Sequence, residues 1–165
     1  SWAGPARRAT AWQAEESDRA TAPAAVAELL GIAKDEPVHI VRRTRVTGGQ
    51  PVAADLVHIP ASSVPDLTAI DAPAGPARAR AVLRELRRTE FEGQDRSVEL
   101  GSARADDARA LDRLPGAPVL VVTTRYFGAG GTAAVSLATY RADTCRLTFG
   151  ADGVEIHHTP ERRAS

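Results

Sequence analysis

The stretch VLVVTTRYFGAGGTAAVSLATY, residues 119–140, decides the fold. Residues 119–127 are strongly β-forming, residues 128–131 supply turn glycines, and residues 133–140 return as a second strand. Upstream, residues 38–46 alternate β-branched with polar side chains, residues 47–50 read TGGQ, and residues 52–59 continue extended until Pro60. The sequence therefore predicts two β-hairpins, which are the building blocks of an antiparallel sheet.

Helical patterns lie between and beside the hairpins. Apolar residues share one helical face over residues 22–30, before Gly31, and again over residues 76–88. In the second of these predicted helices arginines occupy the other face. Two of them, Arg78 and Arg80, are open to two interpretations, in which one of them enters a pocket or both face water. A third short helix is expected after residues 105–107, capped by Asp106 or Asp107. Residues 97–103 are a predicted strand, and residues 146–149 and 154–157 are predicted edge strands. Because strands and helices do not alternate regularly, we predict an α+β fold with an antiparallel sheet flanked by helices.

The chain divides into three segments by composition. Residues 1–20 have the character of a linker or an edge segment, residues 21–158 form the predicted domain, and the polar residues 159–165 are expected to be a flexible tail. The sequence contains no methionine. We therefore expect that Ser1 is not a translation start and that a preceding part of the protein has been removed.

Charge and cysteine content exclude several classes of protein. The 21 basic residues balance 21 acidic ones, so no overall field attracts nucleic acid, and direct DNA binding by this chain alone is disfavoured. The single cysteine, Cys145, excludes an internal disulfide and fits a reducing compartment. No apolar run approaches the roughly 18 residues that span a bilayer. We expect a cytoplasmic protein without a membrane partner.

Signatures of common enzymes are missing. The sequence has no phosphate-binding loop, no dinucleotide-binding glycine motif and no nucleophile elbow, so no catalytic residue is predicted. The adjacent His157 and His158 would point to opposite faces of a strand, which is poor geometry for holding one metal ion. We predict neither a metal site nor a cofactor.

The first hairpin carries a possible anion site. Arg43 and Arg45 are two residues apart on a strand and therefore project from the same face. Together their guanidiniums can grip a carboxylate or phosphate, and Asp55 on the returning strand can orient one of them. The alternative is a solvated sheet face on which Asp55 is a surface ion partner, worth little energetically. The residue pattern by itself slightly favours the solvated face.

The second hairpin has a face of small residues. Ala134, Ser136, Ala138 and Tyr140 alternate along one strand and share one side of it. Small side chains beside a tyrosine hydroxyl are typical of a cavity wall, and they are also typical of a sheet packed closely under a helix. Both interpretations stay open at the level of the pattern.

Two stretches carry a family resemblance. They read VAELLGIAKDEPVHIVRRTRVTGGQPVAADLVHIP at residues 26–60 and ADDARALDRLPGAPVLVVTTRYFGAGGTAAVSLATYRAD at residues 105–143. In order and spacing they resemble the UTRA domain, the ligand-sensing domain of the HutC subfamily of GntR transcription regulators. The resemblance spans about residues 21–150.

The resemblance implies a chorismate-lyase-like fold enclosing a small-molecule pocket. It also implies an upstream winged helix-turn-helix domain, which is absent from this chain and through which alone DNA is bound. A homodimer is expected as well. Arg43 and Arg45 match the family's R-x-R, Asp55 stands where many members have Glu, and Tyr140 matches the closing Y-R-x-D. The predicted effector-binding residues are Arg43, Arg45, Asp55, Ala134, Ser136 and Tyr140. Their predicted partner is a small anionic metabolite, either a sugar phosphate or an organic acid.

One departure keeps other functions open. Ala134 stands where sugar-phosphate-sensing relatives often place a glutamate that binds the effector, which weakens the sugar-phosphate assignment. Two alternatives to a sensor therefore remain. The first is an enzyme like chorismate lyase, with Asp55 as its acid or base, and the second is a domain that has lost its ligand and acts only as a dimerisation scaffold.

Overall fold

The computed structural model describes residues 12–67 and 70–158. Within them the chain forms eight β-strands and three α-helices. The strands are β1 (Trp12–Thr21), β2 (Pro37–Thr47), β3 (Gln50–Ile59), β4 (Gly93–Ser102), β5 (Pro118–Gly128), β6 (Gly131–Arg141), β7 (Cys145–Gly150) and β8 (Gly153–His158). The helices are α1 (Ala24–Leu30), α2 (Pro76–Arg87) and α3 (Ala105–Leu111).

Six strands form one antiparallel sheet in the order β1-β2-β3-β6-β5-β4. Both predicted hairpins, β2–β3 and β5–β6, are confirmed, and β3 pairs with β6 to join them at the centre of the sheet. The predicted α+β class is confirmed. Strands β3 and β6 are far apart in sequence. Their pairing places residues of the first hairpin beside residues of the second, such as Asp55 opposite Ala138, on one face of the sheet.

Both edge strands differ from the sequence expectation. Residues 12–21, within the linker or edge segment, form β1 and pair with β2, while residues 1–11 and the predicted tail at 159–165 lie outside the described residues. Strand β4 begins at Gly93 rather than at residue 97. Its first residues are mostly charged or polar and exposed. The apolar alternation by which a buried strand is recognised is therefore weak in this edge strand.

The last two strands do not extend the main sheet. Residues 146–149 and 154–157 were predicted as edge strands, but β7 and β8 pair only with each other and form a separate two-stranded sheet. Ile156 and Cys145 pack instead against a cluster on the main sheet that includes Tyr140. The β7–β8 hairpin is therefore a flap over the sheet, held by side-chain contacts.

Helix ends follow local rules, with one exception. Gly31 adopts a left-handed conformation (φ 68°) and ends α1, and Pro76 occupies the first position of α2. The prediction that Asp106 or Asp107 caps α3 is wrong in position: the helix begins at Ala105 with Arg104 at the N-cap, and Asp107 lies in its first turn, where it accepts the backbone N–H of Arg104 (3.1 Å).

The main sheet is covered on both faces. We call the face that bears Arg43 and Asp55 the site face, and the opposite one, which bears Arg42 and Leu56, the rear face. At one end of the site face, α2 packs against strand residues through an apolar cluster: Val41, Val57, Ile59, Ala79, Val82, Leu83 and Leu86. The β7–β8 hairpin covers the other end of the site face. Helices α1 and α3 cover the two ends of the rear face.

None of the helices in the described part of the chain combines the length and apolar character needed to cross a membrane.

Candidate functional site

A buried polar network lies at the centre of the site face. The register pairs Arg43 with Asp55 across β2 and β3, and Asp55 with Ala138 across β3 and β6. Arg43 donates from Nε to Asp55 Oδ2 at 2.6 Å, and Ser136 donates from Oγ to Asp55 Oδ1 at 2.6 Å. All three side chains are buried. The sequence alternative of a solvated face is therefore wrong for Arg43 and Asp55.

This network neutralises itself. The side chains of Arg43 and Asp55 are only 5% and 0% exposed, so water screens neither charge, and each depends on the other for compensation. The Trp12 ring lies under the Arg43 guanidinium, with 4.9 Å between Cζ and the ring centroid. Such a cation–π contact further stabilises the charge. The positive charge of Arg43 is consequently compensated by groups of the protein itself.

Arg45 occupies the next position on the same face and has a different environment. Its Nε is buried and has no hydrogen-bond partner among the described residues. Burial raises the pKa of Tyr140, while the charge of Arg45 and a hydrogen bond from it act in the opposite direction. Arg45 therefore lies beside the Tyr140 hydroxyl and retains donor capacity for a further group.

The β7–β8 hairpin brings His158 to the same place. Its ring stacks on Tyr140, with centroids 5.4 Å apart and an interplanar angle of 13°. Burial, followed by the positive charge of Arg45 and the neighbouring His157, lowers the pKa of His158 to about 4. At neutral pH this imidazole is uncharged. Both of its ring nitrogens are buried without a hydrogen-bond partner in the described part of the structure.

The predicted site residues share one face but divide between two surroundings. Arg43, Asp55 and Ser136 form the network, and Arg45 and Tyr140 lie beside it toward the β7–β8 hairpin. Ala134 lies toward the other end of the face, fully buried in the apolar cluster under α2. Its assignment as an effector-binding residue stays a prediction.

Sequence reasoning missed two residues of this region, Trp12 and His158. Trp12 lies on β1, whose charged composition gave no strand signal. For His158 a signal existed: Val154, Ile156 and His158 alternate, and that alternation turns the histidine toward the same side as the apolar residues. His158 was considered only as a metal ligand beside His157, and the structure instead places it against a tyrosine.

The closing Tyr-Arg-Ala-Asp sequence has a structural role as well. Arg141 is 2% exposed and donates from Nη1 to Gln50 Oε1 (3.1 Å) and to the Pro51 carbonyl (3.3 Å). Asp143 lies 3.8 Å from Arg141 Nε. Arg141 thus fastens the end of β6 to the β2–β3 turn, which helps to hold Arg45 in position near that turn.

Other potential sites are weaker. Burial raises the pKa of the Cys145 thiol, which disfavours the reactive thiolate. Arg78 donates to the Ile70 carbonyl (2.7 Å) and Arg80 is exposed, so neither reaches the polar network. Within residues 12–67 and 70–158, no three His, Cys, Asp or Glu side chains cluster as metal ligands.

A six-stranded antiparallel sheet covered by helices, with polar side chains buried at its centre, defines the class of this protein as an α+β domain. The UTRA domain model matches residues 6–146, and the chain belongs to the UTRA domain family. No curated protein sequence gives a significant match.

Solved structures share this fold. A Streptomyces coelicolor protein assigned as a transcriptional regulator is 26% identical, with a TM-score of 0.66 over 92% of this chain and 95% of its own. The ligand-binding domain of a Bordetella bronchiseptica protein assigned to the GntR regulators is 21% identical (TM-score 0.61), covering 93% of this chain and 89% of its own. The C-terminal domain of the histidine utilization repressor from Pseudomonas syringae pv. tomato is 17% identical (TM-score 0.67), covering 83% and 94%.

Proposed function

We propose that this chain is the effector-sensing domain of a GntR-type transcription regulator of the HutC subfamily. A small anion binds on the site face between α2 and the β7–β8 hairpin, and its binding controls DNA binding by a winged helix-turn-helix domain elsewhere in the protein. DNA is contacted only through that other domain, and the protein acts in the cytoplasm. The UTRA family membership and the ligand-binding domain from Bordetella bronchiseptica support this function.

The observation that carries the proposal is the buried polar cluster at the centre of a face whose two ends are apolar. A sheet that served only as packing surface would be more stable without buried charges, because removing an ion pair from water costs several kcal/mol per ion. Arg43, Asp55 and Ser136 bear that cost at the centre of the face, and Arg45 adds a further cation. Convergent polar groups within an apolar enclosure are typical of ligand sites.

The β7–β8 hairpin is suited to report occupancy. No strand of the hairpin pairs with the six-stranded sheet, so the hairpin can shift without breaking a backbone ladder. A ligand that contacts Arg45 beneath the hairpin stabilises one hairpin position over others. Differential affinity for two positions is what a ligand needs in order to shift a conformational equilibrium.

A binding role also fits the state of Asp55. A lyase of this fold would need Asp55 as a mobile acid or base, but Arg43 and Ser136 engage both of its oxygens at 2.6 Å. A carboxylate held by two hydrogen bonds in a buried network is an orienting group and a poor proton shuttle. We therefore propose binding without catalysis.

We further propose that the protein acts as a homodimer. Operators of helix-turn-helix proteins usually mirror a two-fold axis of the protein, and a sensor that reports to two DNA-reading heads needs that symmetry. Sedimentation equilibrium of the chain tests the proposal directly. A monomer at micromolar concentration would show that dimerisation does not come from this domain.

The sensing function is tested by measuring thermal unfolding in the presence of sugar phosphates, organic acids and other metabolites. At a hundredfold excess over its dissociation constant, a ligand specific for the folded state stabilises it by about 2.7 kcal/mol. The Arg45→Gln variant should lose this stabilisation. Arg42→Gln is the matched control, since Arg42 adjoins the same strand segment but lies on the rear face, paired with Glu16 at 2.9 Å.

The variants separate the alternatives. A ligand whose effect survives Arg42→Gln and disappears in Arg45→Gln supports the sensing site. Stabilisation that both variants retain would place the ligand elsewhere on the molecule. If no member of the panel stabilises the wild-type domain, the sensing function fails and the dimerisation scaffold becomes the better explanation.

A further inference from the structure

The hydrogen-bonding groups left open beneath the β7–β8 hairpin define what a ligand must offer. Arg45 Nε is a buried donor without a partner, and both ring nitrogens of His158 are buried without one in the described residues. A neutral imidazole carries one donor and one acceptor. The open set is therefore two donors and one acceptor, which calls for a ligand with two acceptor positions and one donor.

The net charge of the open groups narrows the class of ligand further. Arg43 is already compensated by Asp55, and no carboxylate in the described part of the chain lies within ion-pair distance of Arg45. His158 is uncharged at neutral pH, since its pKa is lowered to about 4. Arg96 on β4 donates to the Val154 carbonyl (3.1 Å) and is exposed, so solvent weakens its charge, which still acts to lower the pKa of Tyr140. The open groups themselves, Arg45 and the neutral His158, therefore carry one positive charge, on the partly buried Arg45.

A carboxylate fits one positive charge better than a phosphate monoester does. A carboxylate brings one negative charge, whereas a phosphate monoester brings about −1.5 to −2 near neutral pH. The additional negative charge would be buried without compensation, which is costly in an environment of low polarity. The acceptor nitrogen of His158 in turn requires a hydroxyl or an N–H on the ligand.

We propose that the effector is a small hydroxycarboxylate whose carboxylate contacts Arg45 and the donor nitrogen of His158, and whose hydroxyl donates to the other nitrogen of His158. The proposal rests on the sensing function above and specifies its ligand class. His158 lies outside residues 6–146, the part that matches the family model, so this contact is not among the features that the family match covers. The stacking of His158 on Tyr140 fixes the ring plane and so the directions of both nitrogens.

Calorimetric titration with three small probes tests the ligand class. The probes are lactate, propionate, which lacks only the hydroxyl of lactate, and methyl phosphate, which has the higher charge. We expect the wild-type domain to bind lactate roughly tenfold more tightly than propionate, the value of one hydrogen bond. Methyl phosphate should bind no more tightly than propionate.

Two variants connect the preference to the residues. His158→Phe keeps an aromatic ring against Tyr140 but has no ring nitrogen, so lactate and propionate should bind it equally. Arg45→Gln should weaken the binding of both carboxylates, and Arg42→Gln on the rear face should change nothing. A His158→Phe variant that unfolds at the wild-type temperature shows that the loss of preference is not a loss of folding.

Failure of this inference is distinguishable from failure of the sensing function. Tightest binding by methyl phosphate, or a lactate preference that persists in His158→Phe, overturns the hydroxycarboxylate assignment. So does the absence of lactate binding at millimolar concentration. In each case a metabolite whose stabilisation requires Arg45 would still establish the sensing site.

Discussion

Removing the carboxylate of Asp55 should be among the most destabilising changes in the domain. Asp55→Ala leaves the guanidinium of Arg43 buried at 5% side-chain exposure without its partner at 2.6 Å. Breaking a buried ion pair on one side costs about 3–5 kcal/mol. For a domain of this size, each kcal/mol lowers the melting temperature by about 2–4 °C, so the expected fall is about 6–20 °C.

A double-mutant cycle separates the ion pair from simple loss of packing. In the double variant Arg43→Met with Asp55→Ala no charge is left uncompensated, so it should be more stable than Asp55→Ala alone. The surface pair of Arg42 and Glu16 supplies the control, because replacing Arg42 by Gln should cost only about 0–1 kcal/mol.

Urea unfolding followed by circular dichroism measures each free energy of unfolding. The reasoning is refuted if Asp55→Ala costs less than about 1 kcal/mol, which is the scale of an exposed pair. It is also refuted if the losses in the two single variants simply add in the double variant within about 0.5 kcal/mol.

Three further outcomes are expected. Leu86→Ala, at 1% exposure in the cluster under α2, should cost about 2–5 kcal/mol in urea unfolding, whereas Phe149→Ala, at 76% exposure, should cost little. Gly128→Ala should lower the melting temperature more than Gly130→Ala, because a Cβ at 128 would lie 2.8 Å from a backbone carbonyl oxygen and one at 130 meets nothing within 4 Å. The folded state lowers the pKa of His158 from 6.5 to about 4, so the unfolded chain binds this proton more readily and unfolding becomes easier as pH falls through that interval. His158→Gln should flatten this slope, and an unchanged slope would contradict the burial of the ring.

The two central hairpins of the sheet can be predicted from local sequence. Residues 47–50 give the turn of the first hairpin, and with the turn set, alternation places Arg43 and Arg45 on one face, with Asp55 opposite Arg43. The same alternation gives the shared face of Ser136 and Tyr140. These features depend only on the two-residue period of a strand and on turn residues, both of which are visible without tertiary information.

Edge strands were harder to find for a physical reason. Much of β1 and of β4 faces solvent, so their composition is charged and lacks the apolar period by which a buried strand is recognised. The β7–β8 strands showed the period, but whether they pair with the main sheet or with each other depends on which arrangement buries Ile156 against Tyr140. That choice is made by packing.

The sequence by itself therefore determined the hairpins, the class of fold and the set of polar residues that share a face, because each follows from short-range periodicity. Only the tertiary structure decided which of these residues pair with each other and which keep a free hydrogen-bonding group. The cross-strand distance of 2.6 Å commits Arg43 to Asp55, while the fold of the β7–β8 hairpin over the sheet buries His158 beside Arg45. Charge compensation and burial arise from contacts between segments distant in sequence, and no local pattern encodes which of two neighbouring arginines keeps a free donor.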